Sequence, residues 1–144
     1  MGAFISGAST MFTGLFVGAM LLIAVSLVPY WRSLAPGEFR AWFVAHSGHL
    51  GRVMVPLGML ATGAALAVLV LAVVQGQSFG AALVHAAGLV GVLAVYYAGN
   101  KPINDRLFVS PPAPDDSLAR LRQRWAVWHW IRVGLGLVAL GAAV

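Results

Sequence analysis

Apolar residues run almost unbroken over residues 10–28, 53–74, 79–99 and 125–144, and polar residues gather between these runs. A helix needs about 20 residues to cross the hydrocarbon of a bilayer, so each run is a candidate span. The runs are continuous and lack the apolar–polar alternation of barrel strands, which favours helices. The pattern predicts one all-α domain over residues 1–144, an antiparallel bundle of four transmembrane helices at about 10–30, 51–75, 79–100 and 117–144.

The connections differ in kind. Only Gln75-Gly76-Gln77-Ser78 separates the second and third runs, so these two form a hairpin. The other two connections, residues 30–52 and 100–124, are long and charged. The first mixes aromatic and charged residues after Pro36-Gly37, which predicts a short interfacial helix at about 37–46. The second contains Pro111-Pro112-Ala113-Pro114, which breaks helix, and then Asp115-Asp116-Ser117, which can cap the next one. The fourth helix should begin near Ser117 and expose Arg120, Arg122 and Arg124 in its first turns. Pro102 disfavours helix at Lys101, so the third helix should bend there.

Composition turns the pattern into a solvent assignment. Of 144 residues 60% are hydrophobic and 9% charged, with a mean hydropathy of +0.88. Soluble domains carry about 25% charged residues, so lipid is the expected solvent and the bilayer the first partner. The net charge of +5 does not imply nucleic acid, because the basic residues lie in or beside short polar connections. Arg32, Arg40, Arg52, Lys101, Arg106, Arg120, Arg122 and Arg124 all flank the two long loops. The positive-inside rule then predicts cytoplasmic long loops, extracytoplasmic termini and a multi-pass plasma-membrane protein of bacterial type. No Lys or Arg precedes the first run, so it reads as a span and not as a signal peptide. There are no cysteines, which removes disulfides, thiolate metal sites and CxxC redox chemistry. Gly14 and Gly18 form a GxxxG that can serve bundle packing or a dimer face.

The ninth basic residue, Arg132, lies inside the fourth run, where a charge is expensive and usually marks a functional site. Trp125, Trp128, His129 and Arg132 share one face of that helix. The bland alternatives are a snorkelling arginine and an interfacial tryptophan belt. His46 and His49 are spaced i, i+3 and, with His129, are the candidate ligands of a haem b or a copper or iron ion. His85 lies too far toward the other face to join them and would instead bond to a neighbouring helix. The sequence has no Walker motif, catalytic triad or intramembrane carboxylate, which argues against ATP-driven and proton-coupled transport.

Asn100-Lys101-Pro102-Ile103-Asn104, followed by Trp125-Ala126-Val127-Trp128-His129-Trp130-Ile131-Arg132, resembles the motif pair of the anthrone oxygenase-like family of small four-helix membrane proteins. A proline closing the first run and Ala41-Trp42-Phe43 before the second fit the same pattern. Fungal members of the family oxidise anthrones to anthraquinones with molecular oxygen and no tightly bound cofactor. The resemblance implies an oxidoreductase acting on a lipid-soluble aromatic or quinone-like substrate. His129, Arg132, Asn100 and Asn104 would carry the chemistry, and Trp125, Trp128 and His46 would line the substrate cavity. The chain departs from the family pattern at His129, where an Asn is expected. Two other readings stay open: a haem- or metal-binding redox protein, and a non-enzymatic homo-oligomer or subunit of a membrane complex.

Overall fold

The computed structural model describes residues 2–144 and is helical throughout, with no strand among the described residues. Four continuous helical segments are long and apolar enough to cross a membrane: Phe4–Ser33, Pro36–Val74, Gly80–Phe108 and Asp115–Ala143. The first comprises α1 (Gly2–Leu22), a π-turn (Ile23–Leu27) and α2 (Val28–Ser33). The second is α3 (Pro36–Val74). The third comprises α4 (Gly80–Val95), a π-turn (Tyr96–Asn100) and α5 (Lys101–Phe108), and the fourth is α6 (Asp115–Ala143). Going around the bundle, α1 neighbours α3 and α6, and α4 neighbours the same two, so α1 and α4 face each other diagonally. The chain is an integral membrane protein of the multi-pass type.

Local chemistry explains the ends. The α3–α4 turn is a Schellman motif: Gln77 N–H bonds Ala72 O at 2.9 Å and Gly76 N–H bonds Val73 O at 3.1 Å. Gly76 has φ +64°, a conformation that glycine adopts without a Cβ clash. Pro36 opens α3 at its first turn, where a missing N–H costs nothing, and Glu38 Oε2 accepts the Ala35 N–H at 3.0 Å.

Two prolines expected to end helices do not. A proline ring clashes with the carbonyl four residues earlier, which is Val25 for Pro29 and Ala98 for Pro102. Both carbonyls lie inside π-turns, whose wider winding accommodates the ring. The first helix therefore reaches Ser33, and the third continues through Lys101 to Phe108, past the end expected near residue 100.

The segment 37–46 also differs from expectation. It is helical, but it forms the first turns of α3, which runs unbroken through Ser47 and Gly48. Tertiary packing overrides the weak propensity there, because Phe39 and Phe43 bury one helical face against Trp31. At 39 residues α3 is about 58 Å long, well beyond a hydrocarbon thickness of about 30 Å. Its polar first half thus stands beyond the apolar slab, with α2, α5 and the start of α6 packed around it. The fourth helix starts at Asp115, and no side chain caps its first turn.

Two cores result. In the apolar half Phe16, Val17, Met20, Ala61, Leu89 and Val133 pack with small residues. A Cβ on Gly88 would stand 2.8 Å from the Ala139 Cβ, and one on Gly136 would stand 2.9 Å from the Met20 Cε. Of the GxxxG pair, Gly14 meets Leu140 while Gly18 faces open space. In the basic half the core is aromatic, centred on Trp31 with Phe39, Phe43 and Trp125 around it. Arg122 joins this half: its Nη1 donates to Trp31 O at 2.6 Å and Leu34 O at 2.8 Å, capping the end of α2. It is half-buried, unlike the exposed arginine expected from the sequence.

Candidate functional site

A cavity of about 570 Å³ opens where the two cores meet, walled by the first π-turn, α3, the second π-turn with α5, and α6. Pockets that take a drug-sized ligand span roughly 300–1,000 Å³. Trp31, Phe43, Tyr96, Trp125, His129 and Arg132 form its inner wall. Its other rim is formed by Val55, Met59 and Tyr97, which also lie 56%, 67% and 63% exposed on the outer surface of the bundle. The cavity thus opens sideways between α3 and the third span, toward lipid.

Trp125 is the best-fixed residue of the wall. Its Nε1–H donates to Asn104 Oδ1 at 2.8 Å, and the Asn100 amide donates to the Trp125 carbonyl at 3.1 Å. Trp31 packs edge-on against it with centroids 5.0 Å apart. Both asparagines of the Asn-x-Pro-Ile-Asn element therefore bond the same tryptophan, while Asn100 Oδ1 is buried without a partner. Asn104 lines the cavity, whereas Asn100 is fully buried behind the wall and does not reach a ligand. The π-turn brings Asn100 inward, and Gly99 in the same turn receives the Trp128 indole, which lies 2.2 Å from where a Cβ would stand. Trp128 consequently wedges the seam between α6 and the third span and does not line the cavity, contrary to the substrate-binding role expected of it.

His129 stacks on Trp125 with centroids 4.8 Å apart and planes 19° apart. Its Nε2 lies 2.9 Å from Met20 O on α1. A carbonyl only accepts, so Nε2 carries the hydrogen, and in the uncharged form of the ring the lone pair is on Nδ1. Nδ1 is buried and has no partner. One turn on, Arg132 holds its guanidinium 5.0 Å from the Tyr96 ring centroid, a cation–π contact. Arg132 is 8% exposed, so it does not snorkel, and its Nε also has no partner. Among the described residues the single salt bridge is Lys101–Asp105 at the cavity mouth, so Arg132 has no carboxylate. Buried polar atoms are normally satisfied. His129 Nδ1 and Arg132 Nε, three residues apart on α6, are thus two of several unpartnered buried atoms around this cavity, with Trp31 Nε1 and Asn100 Oδ1.

The remaining candidates fall elsewhere. His46 is exposed, stacks on Trp42 and bonds Trp42 O through Nδ1 at 2.8 Å. His49 is exposed as well. Neither lines the cavity that His129 occupies, and no group of three or more His, Asp or Glu among the described residues could hold a metal ion. His85 is buried and bonds the Thr13 hydroxyl on α1 at 2.9 Å. Sequence reasoning missed Tyr96, Trp31 and the Met20 carbonyl. Tyr96 precedes the asparagine element by one helical turn and carries a visible signal, whereas a backbone carbonyl leaves none.

The family model for anthrone oxygenase matches residues 42–142. This chain belongs to the anthrone oxygenase family. The match takes in Tyr96, both asparagines, Trp125, His129 and Arg132, while Met20 and Trp31 of the first span lie outside it. No curated protein and no solved structure matches the chain.

Proposed function

We propose that the protein is a membrane-embedded oxygenase that converts the methylene of an anthrone-like polycyclic ketone to a carbonyl with molecular oxygen. The observation that carries this reading is the unpartnered Nδ1 of His129 beside the carboxylate-free Arg132, in an aromatic cavity open to lipid.

A methylene held between two aromatic rings and conjugated to a ketone is acidic for a carbon acid. His129 Nδ1 takes one of its protons, and the electron pair spreads onto the ketone oxygen. The Arg132 guanidinium meets the oxyanion that forms, with Asn104 fixing the neighbouring Trp125 against the rings. The carbanion gives its electrons to dioxygen, a C–O bond forms, and the peroxide takes the proton back from His129. Loss of the second methylene proton breaks the O–O bond, leaves a carbonyl and releases hydroxide, which departs as water. One methylene and one dioxygen become one carbonyl and one water, so the substrate supplies all the electrons and no bound cofactor is required. The positive-inside rule supports placing the basic face in the cytoplasm and both termini outside.

The test is oxygen uptake by purified protein with an anthrone. His129→Ala and Arg132→Ala should each lose most of the uptake that wild type shows above the uncatalysed rate. Full uptake in both variants would sink the reading.

A further inference from the structure

A second pocket, of about 460 Å³, lies at the basic face where α5 and the start of α6 diverge. Arg106 enters it from α5, and Arg120 and Arg124 enter from α6, over an apolar floor that includes Val109 and Leu121. No carboxylate lines it. Arg120 and Arg124 are spaced i, i+4, a like-charge arrangement that is unfavourable on a bare helix. The Arg120 guanidinium is oriented toward the pocket side of the helix by its bond to Ser117 Oγ at 3.1 Å. Arg122, between them in sequence, points the other way and caps α2. The four acidic side chains of the chain do not offset this cluster, since the single ion pair among the described residues is Lys101–Asp105.

Orienting the chain in a membrane requires positive charge at this face but not three arginines converging on one concavity. Guanidinium forks match phosphate oxygens bidentately, and basic pockets between spans suit lipid headgroups. The surface above the pocket fits the rest of a lipid. Along α6 from Arg124, Trp128 fills the seam with the third span, while Val127 and Ile131 stand 53% and 43% exposed. An acyl chain lying on this stripe would carry its phosphodiester down to the arginines.

We propose that Arg106, Arg120 and Arg124 form a binding site for the phosphodiester headgroup of an anionic phospholipid, independent of the oxygenase site. The experiment follows thermal unfolding of the protein in neutral detergent with added phosphatidylglycerol, phosphatidylcholine or inorganic phosphate. Phosphatidylglycerol should raise the Tm above the phosphatidylcholine value, and the rise should vanish in the triple variant Arg106→Gln, Arg120→Gln, Arg124→Gln. Equal shifts with the two lipids, or an undiminished shift in the triple variant, would overturn the site. A full shift with inorganic phosphate alone would overturn its assignment to a lipid. Should the triple variant fail to fold, native mass spectrometry of wild type from mixed vesicles decides. A retained one-to-one phosphatidylglycerol adduct, preferred about tenfold over phosphatidylcholine, supports the site; unselective retention removes it.

Discussion

The bundle buries one histidine in each of its halves, and the two stand in opposite surroundings. His85 and His129 are 2% and 1% exposed, and each bonds across to α1 through Nε2 at 2.9 Å. His85 meets a hydroxyl, Thr13, among the small and aliphatic residues of the apolar half, and touches neither cavity described above. His129 meets a carbonyl, which fixes its hydrogen on Nε2 and leaves Nδ1 free beside a cavity and an unpaired arginine. Burial of a polar side chain inside a membrane bundle thus says little by itself. What distinguishes the two sites is their surroundings: His129 lines a cavity beside an arginine with no carboxylate, and His85 lines none.

Substitutions at the two histidines should separate most sharply. His129→Ala removes the proposed base and should lower oxygen uptake by about 10²- to 10⁴-fold, whereas His85→Ala should leave turnover unchanged. Equal losses in the two variants would break the contrast. Next in size is Arg132→Gln, which keeps a donor but removes the charge and should cost about 10²- to 10³-fold in kcat, with the fold retained by circular dichroism. A loss of helicity matching the loss of rate would mark Arg132 as structural.

Gly99→Ala should destabilise by about 1–3 kcal/mol through overpacking, because its Cβ would collide with Trp128. It should also disturb the π-turn that carries Tyr96 and Asn100, so Tm and rate should fall together. The smallest effect on turnover belongs to the apolar half. His85→Ala should cost about 1–3 kcal/mol of stability by leaving the Thr13 hydroxyl unpaired, read as a lower Tm with intact kinetics.

The bundle was legible in the sequence because lipid leaves few options: continuous apolar runs of span length, a four-residue turn and basic loops force four helices. The helix ends were less legible. Pro29 read as a close and Pro102 as a bend, since one sequence does not reveal that a π-turn absorbs each ring. Residues 37–46 read as a separate interfacial helix, yet the packing of Phe39 and Phe43 on Trp31 makes them the start of an unbroken α3. For the site, helical spacing placed Trp125, His129 and Arg132 on one face, and all three line the cavity. The same spacing could not tell Trp128, which seats on Gly99, from Trp125, because the distinction depends on the neighbouring helix. His46 stacks on Trp42 of its own helix and does not line the cavity that His129 lines, a placement that spacing alone could not give.

The free nitrogen of His129 is the centre of this mechanism, and the departure from the family's expected Asn offers its most direct test. Dioxygen consumed and anthraquinone formed would be measured together for wild type, His129→Asn and His85→Asn at matched folded concentration. The predicted result is one dioxygen per quinone in wild type and in His85→Asn, with a fall of about 10²-fold or more in His129→Asn. Wild-type turnover in His129→Asn would contradict the assignment of the base.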